Sequence, residues 1–287
     1  MVSIIIPTYN REQTVMRAIK SILDQTYVNF ELIIVDDGST DHTENIISQI
    51  FDLRLRYIRQ ENAGACVARN RGIEAAQGEY IAFHDSDDVW HSDKLEKQME
   101  IIDKSGADVV FCKYMRYEGG DPKGIGPQNF SNGFLKPPVN LFGIGTQTIL
   151  GKRIVFDTFK FDATLPRFQE MELLMRIMDK YSIYCLDELL VDYYLGLDSI
   201  SNNNEKLYKA CELILKKHTD INKKFPRIVN TMSSILISSA NNLCKINDNN
   251  YYKYLMKSYQ INHTLKSFFR IFLAKIGLYK LIIKLKS

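Results

Sequence analysis

The N-terminal half of this chain is a series of short apolar runs. Each is stopped by a polar turn and followed by a helical pattern. Val2–Ile6 ends at Pro7-Thr8-Tyr9-Asn10. Leu32–Val35 ends at Asp36-Asp37-Gly38-Ser39-Thr40-Asp41, and Tyr80–Phe83 passes through His84 into Asp85-Ser86-Asp87-Asp88. Apolar runs without polar alternation predict strands buried on both faces. Between them, Val15, Ala18, Ile19, Ile22 and Leu23 share one helical face, and further helices open at Asp41 with Glu44 and after Asn62-Ala63-Gly64. Strand–helix alternation with short connections predicts an α/β protein with a mostly parallel sheet covered on both faces. Such sheets bind ligands beyond the carboxyl ends of their strands, so three polar turns are expected to meet in one cleft.

The acidic turn says most about what that cleft holds. Strand geometry would put Asp85 and Asp87 on one side of the chain. Two neighbouring carboxylates repel unless a cation neutralises them. A hard ion such as Mg²⁺ or Mn²⁺, itself bound to substrate phosphates, does so well. Each turn has a plainer reading when taken alone. Asp-Asp-Gly-Ser caps helices, an acidic turn is often only solvated, and Pro-Thr-Tyr-Asn is an ordinary strand end.

Elsewhere the pattern is coarser. Asn10 is predicted to cap the first helix, with Gln13 at the capping-box position. Leu55–Ile58 and Asp108–Cys112 read as strands, with a helix over Asp93–Lys104 between them. Residues 118–151, rich in Gly, Pro and Asn, read as a long loop serving as a lid or acceptor-binding insert. A helix is expected over 170–180 and a strand over Ile183–Leu186, with helices from Glu205 onward. This divides the chain into residues 1–204 and a helical region 205–287.

Charge follows the same division. Residues 1–100 carry 10 basic and 17 acidic groups, whereas residues 201–287 carry 16 and 4. The basic end calls for a polyanionic partner surface. Its last residues, 265–287, hold six basic groups and no acid. On a single helix, Lys266, Arg270, Lys280 and Lys284 would share one face, and Phe268, Phe272, Tyr279 and Ile283 the other. Lys275 and Lys286 fall off the basic face and Leu273 falls on it. The pattern is that of a helix lying in an anionic membrane surface, or of a terminal helix with a solvated basic face. Five scattered cysteines (66, 112, 185, 211, 244) without a Cys-x-x-Cys pair suggest a reducing compartment and no zinc site. No basic segment precedes Val2–Ile6, which reads as a core strand and not a signal peptide, and no run reaches the ~18–20 apolar residues of a membrane span.

In order and together, the motifs are specific. The Ser3–Asn10 strand and turn, Asp36–Asp41, Asn62-x-Gly64-x-x-x-Ala68-Arg69-Asn70, and Gly78-Glu79-Tyr80 leading to Asp85-x-Asp87-Asp88 resemble the family-2 glycosyltransferases over about residues 1–200. The resemblance implies the GT-A fold, a Rossmann-like mixed and mostly parallel sheet flanked by helices, here with a helical C-terminal extension. It implies that Pro7, Thr8 and Tyr9 line the base and ribose of a nucleotide-diphosphate sugar. Asp37, with Asp36 beside it, would accept the base N–H, and Gly64 and Arg69 would flank the nucleotide. Asp85 would contact the ribose, with Ser86 in the same donor-binding turn. Asp87 would ligate Mn²⁺ or Mg²⁺ on the diphosphate.

The family's catalytic base lies downstream at a helix start. The matching stretch is Arg167-Phe168-Gln169-Glu170-Met171-Glu172, which puts Glu170 at that position. Glu170 and Glu172 are also residues that a helix N-terminus favours. Two residues apart on a helix they point about 200° apart, so one of them is expected to face the cleft, and the motif register favours Glu170. The family often carries Arg-x-His-x-x-Ser near the end of the domain, where this chain has Tyr194-Leu195-Gly196-Leu197-Asp198-Ser199-Ile200-Ser201. His42, His84 and His91 have no ligand spacing, and Trp90 is expected to pack under the acidic turn.

The expected activity is inverting transfer from a UDP-sugar to a hydroxyl of a glycan or lipid-linked acceptor. It would take place at the cytoplasmic face of the plasma membrane, with no nucleic-acid partner. Two alternatives stand beside it: an aspartyl-phosphate phosphotransferase using Asp85, and a non-catalytic nucleotide-sugar-binding scaffold.

Overall fold

The computed structural model describes residues 1–196 and 203–285. The chain divides into two units. The first, Met1–Leu135, Gly143–Thr164 and Gln169–Ser199, contains the sheet; the second is Lys136–Phe142, Leu165–Phe168 and Ile200–Ser287.

The first unit begins with β1 (Val2–Thr8), α1 (Val15–Leu23), β2 (Phe30–Asp36), α2 (Thr43–Ser48), β3 (Leu55–Arg59), α3 (Ala65–Ala75) and β4 (Tyr80–Phe83). Every residue of β1 and β2 is buried, as their unbroken apolar runs require. Helix α1 buries Val15, Ala18, Ile19 and Ile22, the face predicted for it. A fully buried Ile or Val contributes about 1.5–3 kcal/mol, so these strands and their covering helices form the main stabilising layer. Strands β3-β2-β1-β4 are parallel throughout, with Thr8 opposite Asp36 and Ile5 opposite Phe83. That register brings the carboxyl ends of β1, β2 and β4 to one edge.

The sheet continues through β5 (Val89–Trp90), α4 (Lys94–Ser105), β6 (Val109–Glu118), β7 (Asp121–Gly126), β8 (Gly133–Phe134), β9 (Ile149–Lys152), α5 (Arg153–Thr158), α6 (Gln169–Ile177) and β10 (Ile183–Leu195). The order is β3-β2-β1-β4-β9-β6-β10-β5, with β7 on β6 and β8 on β10. This half is mixed. Strand β9 is antiparallel to both β4 and β6, whereas β6 and β10 are parallel. Residues 118–151 are therefore not one long loop. Gly119-Gly120 closes β6 onto β7 as a two-residue hairpin, and β9 begins at Ile149 inside the sheet. Strand β10 runs nine residues beyond the expected Leu186, with irregularities between Leu186 and Val191.

The second unit is helical: α7 (Asn204–Lys217), α8 (Ile221–Lys224), α9 (Pro226–Lys245), α10 (Tyr251–Ile261), α11 (Leu265–Lys275) and α12 (Leu278–Leu285). Helix α10 packs along α9, where the buried hydroxyls of Ser233 and Ser258 meet at 2.7 Å. The basic end is not one helix. It breaks at Ile276-Gly277, where Gly277 takes φ +77°, a conformation that glycine adopts without steric cost. Tyr279 is consequently not on an exposed face. It is buried, and its hydroxyl donates to Asn241 Oδ1 at 2.6 Å. Lys286 lies outside the described residues. Among the described residues, no helix is long and apolar enough to cross a membrane.

Candidate active site

The loops after β1 and β2 are laced together. Asn10 takes φ +49°, and its Oδ1 accepts from the Thr40 amide at 2.8 Å. Its own amide donates to Ser39 Oγ at 3.0 Å, the Arg11 amide to Thr43 Oγ1 at 2.8 Å, and the Glu12 amide to Asp41 Oδ2 at 3.1 Å. Asn10 therefore does not cap α1, which starts at Val15 after Thr14. A side chain able to visit the left-handed region and to accept a main-chain hydrogen bond is used here to join two loops.

Both aspartates after β2 are turned inward. Asp36 is fully buried; Oδ1 accepts from the Ser39 amide at 2.7 Å and Oδ2 from the Tyr57 hydroxyl at 2.7 Å. Burial, and then the hydrogen bond to Asp36, hold the Tyr57 hydroxyl protonated well beyond its usual range. Asp37 is 3% exposed and binds the loop before α3. Its Oδ1 accepts from Gln60 Nε2 at 2.7 Å and from the Ala63 amide at 2.8 Å, and its Oδ2 from the Gly64 amide at 2.7 Å. Gly64, at φ +93°, turns the chain so that this amide points at the carboxylate. Asp37 thereby ties the loop before α3 to the end of β2 and keeps about one of its four lone-pair sites. Asp36 has no exposed atom to offer, so its part is to hold the turn. Of the β1 turn, Pro7 and Thr8 are buried and Tyr9 is 44% exposed. The Thr8 carbonyl accepts from the Asp37 amide at 2.8 Å.

Strand β4 stops at Phe83, and residues 85–88 form a turn closed by Asp88 N–H to the Asp85 carbonyl. The strand alternation expected for Asp85 and Asp87 therefore does not apply; a turn brings them together instead. Their side chains are 26% and 30% exposed, whereas Ser86 and Asp88 are buried. Asp85 Oδ1 accepts from Arg69 Nη2 at 2.7 Å. Arg69 is nearly inaccessible, and burial opposes its charge. Asp85, Cys66 and Glu170 together outweigh that, and the guanidinium stays charged.

Asp87 faces Arg11 Nε at 3.7 Å, and its carbonyl accepts from Arg17 Nη2. Burial and the Asp85 charge push its carboxyl above the ordinary range. Asp88 is pushed well above it, by burial and then by Asp87 and Asp85. Its Oδ1 accepts from the Tyr194 amide at 2.9 Å, and its Oδ2 is buried without a partner among the described residues. Tyr194 in turn lies under Arg17, 4.1 Å from ring centroid to guanidinium carbon, and stacks on Tyr117. The rest of that aligned stretch, Leu197 to Ser201, lies outside the described residues. Behind the turn, Trp90 is buried and donates to the Gln147 carbonyl at 2.9 Å, with His84 against its ring at 4.7 Å.

Glu170 and Glu172 separate as the helix geometry demands. Glu172 is 2% exposed and holds Arg176 with both oxygens, at 2.9 and 2.8 Å. Glu170, in the first turn of α6, is partly exposed, and its charge reaches Arg69, Cys66 and Tyr114. Glu170 thus belongs to the same neighbourhood as the Arg69–Asp85 pair, although 85 residues of sequence separate it from Asp85. Phe168, two residues earlier, takes φ +63°, a costly conformation for an aromatic residue.

The site also contains residues that motif spacing does not single out. Arg11 and Arg17 are cations beside the acidic turn, Gln60 is a donor to Asp37, and Tyr194 supports Asp88. Only Arg11, directly after Pro-Thr-Tyr-Asn, carries a positional hint in the sequence.

A mostly parallel half-sheet flanked by helices, with aspartate turns at its strand ends, is the architecture of the GT-A fold. The sequence profile "Glycosyl transferase family 2" matches residues 3–163, and the chain belongs to that family. TuaG of Bacillus subtilis (strain 168), whose name assigns it to teichuronic acid biosynthesis, is 36% identical over 226 residues, 76% of this chain and 88% of TuaG. WfgD of Escherichia coli, a UDP-Glc:alpha-D-GlcNAc-diphosphoundecaprenol beta-1,3-glucosyltransferase, is 34% identical over 215 residues, 73% of this chain and 83% of WfgD. The crystal structure of TarS 1–349 from S. aureus matches with a TM-score of 0.71, covering 99% of this chain and 90% of that one at 20% identity. A TarS 1–349 structure in complex with UDP-GlcNAc matches at 0.70 with the same coverage. These structural likenesses establish the fold.

Proposed function

We propose that this protein transfers a sugar, with inversion, from a nucleotide-diphosphate sugar to a hydroxyl of a glycan or lipid-linked acceptor. A UDP-sugar is the donor favoured, because WfgD is named for UDP-Glc and TarS was crystallised with UDP-GlcNAc. The WfgD name also supports an acceptor on a lipid diphosphate. The observation that carries the reading is that Glu170 acts electrostatically on Arg69, the partner of Asp85. On this reading a base and a donor-binding turn share one site.

In this mechanism Pro7, Thr8 and Tyr9 line the base and ribose, and Asp37 accepts the base N–H while fixing Gly64. Asp36 keeps the turn in shape. Arg69 orients Asp85 toward the ribose beside Ser86. Glu170 takes the proton of the acceptor hydroxyl as its oxygen bonds to the anomeric carbon. The bond from that carbon to the diphosphate oxygen breaks on the opposite face, and the electron pair leaves with the nucleoside diphosphate.

Asp87 fits an ion-binding role. Burial and Asp85 disfavour its carboxylate, and Arg11 and Arg17 are the counter-charges acting on it among the described residues. Among the described residues, no three His, Cys, Asp or Glu groups are placed to hold a metal, so Asp87 would hold an ion together with the substrate. Mn²⁺ or Mg²⁺ on Asp87 would supply Lewis-acid charge to the departing diphosphate. Action at the cytoplasmic membrane face, through residues 265–287, belongs to the same proposal.

The test is release of nucleoside diphosphate from a panel of nucleotide sugars, with and without EDTA. Release from a UDP-sugar that stops on chelation and returns with Mn²⁺ or Mg²⁺ supports the reading. Full activity in EDTA removes the metal from it, and binding without turnover on any acceptor supports a scaffold.

A further inference from the structure

The second unit contains a polar groove of about 460 Å³ between α9 and α11. Ser234, Ser238, Asn230 and Asn241 of α9 line it, with Lys266 and Arg270 of α11, and no Asp or Glu does. The two asparagine oxygens are already used. Asn241 Oδ1 accepts from the Tyr279 hydroxyl at 2.6 Å and Asn230 Oδ1 from Asn262 Nδ2 at 2.8 Å. What remains for a ligand includes two asparagine amide nitrogens, an ammonium and a guanidinium, beside hydroxyls that can turn either way. A groove with two cations and no carboxylate favours an anion with several oxygens.

Helix α11 has three distinct sides. Ser267, Ile271 and Ala274 face inward and are buried. Lys266 and Arg270 flank the groove. The remaining side exposes Phe268, Phe269 and Phe272 at 55%, 58% and 48%, and past the break Leu278 and Leu281 are exposed at 44% and 55%. An apolar strip this long is unusual on a soluble surface and marks an interaction site.

We propose that the groove holds the phosphate of an anionic lipid headgroup while the aromatic side of α11 enters the acyl boundary of the same leaflet. This deepens the membrane association proposed above and rests on it, but not on the donor or the metal. The groove and the strip share one helix, so a phosphate at Lys266 and Arg270 brings the phenylalanines to lipid depth. The adjoining cations and the lack of any acid in residues 265–287 favour an anionic leaflet over a second copy of this chain.

The test is co-flotation of the full chain with vesicles of phosphatidylglycerol and phosphatidylcholine, against vesicles of phosphatidylcholine alone. Binding should require phosphatidylglycerol. Lys266→Gln with Arg270→Gln should weaken it about thirtyfold. Two single-charge changes separate the groove from general electrostatics. Ser238→Asp, inside the groove, should weaken binding at least tenfold, and Lys275→Gln, outside it, about fivefold. Unchanged melting curves show that each variant folds. Equal losses from Ser238→Asp and Lys275→Gln overturn the groove while leaving membrane association standing. No flotation on either vesicle overturns both. Protection of the groove by inorganic phosphate without vesicle binding overturns the lipid source, and a dimer in sedimentation without vesicle binding assigns the strip to a second copy.

Discussion

Replacing Asp37 with Asn tests whether the DDGS turn builds the cleft or merely touches the ligand. The carboxylate accepts three hydrogen bonds of 2.7–2.8 Å, two of them from main-chain amides, at 3% exposure. An amide can keep only one acceptor oxygen. If that oxygen stays with Gln60 and Ala63, the new NH₂ opposes the Gly64 amide; if it flips, Ala63 loses its partner. Either way one main-chain N–H is stranded, at about 1–3 kcal/mol. The surviving bonds lose their charge assistance, roughly 0.5–1.5 kcal/mol each. With two surviving bonds the sum is about 2–6 kcal/mol, a fall of at least about 4 °C in Tm. Differential scanning fluorimetry measures this, and calorimetric titration with UDP should show weakened binding in parallel. An Asp37→Asn protein that melts as wild type but no longer binds UDP would refute the reasoning, because Asp37 would then be a ligand contact alone.

Other changes separate fold from chemistry. Glu172→Gln breaks the charge of the buried pair with Arg176 and should cost about 2 kcal/mol in chemical denaturation, less than a fully buried pair because Arg176 is 26% exposed. The remaining folded enzyme should keep its turnover. Asp88→Asn should do the opposite. The fold favours the protonated form of Asp88, so its stability contribution is present at low pH and is lost as pH rises through the raised folded pKa. The neutral variant should therefore melt higher than wild type at pH 7.5, with the gap closing toward pH 4. A pH-independent gap would show that the orphaned Oδ2, not ionisation, is what matters.

The parallel half of the fold was legible because β1, β2 and β4 are buried on both faces and their apolar runs have hardly a break. The common edge at which the strands before Asp37 and Asp85 end followed from that topology. What sequence could not give was the partner of each polar group. Asn10 looked like a helix cap because capping is the local use of asparagine, but its partner, Thr40, is 30 residues away. The part Asp37 plays in its own loop was hidden, because nothing local shows Gln60, Ala63 and Gly64 turning toward it. Strand β9 is short and contains a glycine, so its place between β4 and β6 depends on pairing alone. At the other end, a single helical projection put Tyr279 outside; one glycine at 277 restarts the helix and buries it.

The central claim is that Glu170 is the base of sugar transfer at this cleft. It is tested most directly by comparing wild type and Glu170→Gln for transfer to an acceptor and for UDP-sugar binding under identical conditions. Losing one positioned general base should cost about 10²–10⁴ in turnover, with donor affinity and melting temperature held near wild type. Transfer by Glu170→Gln at the wild-type rate would contradict the account.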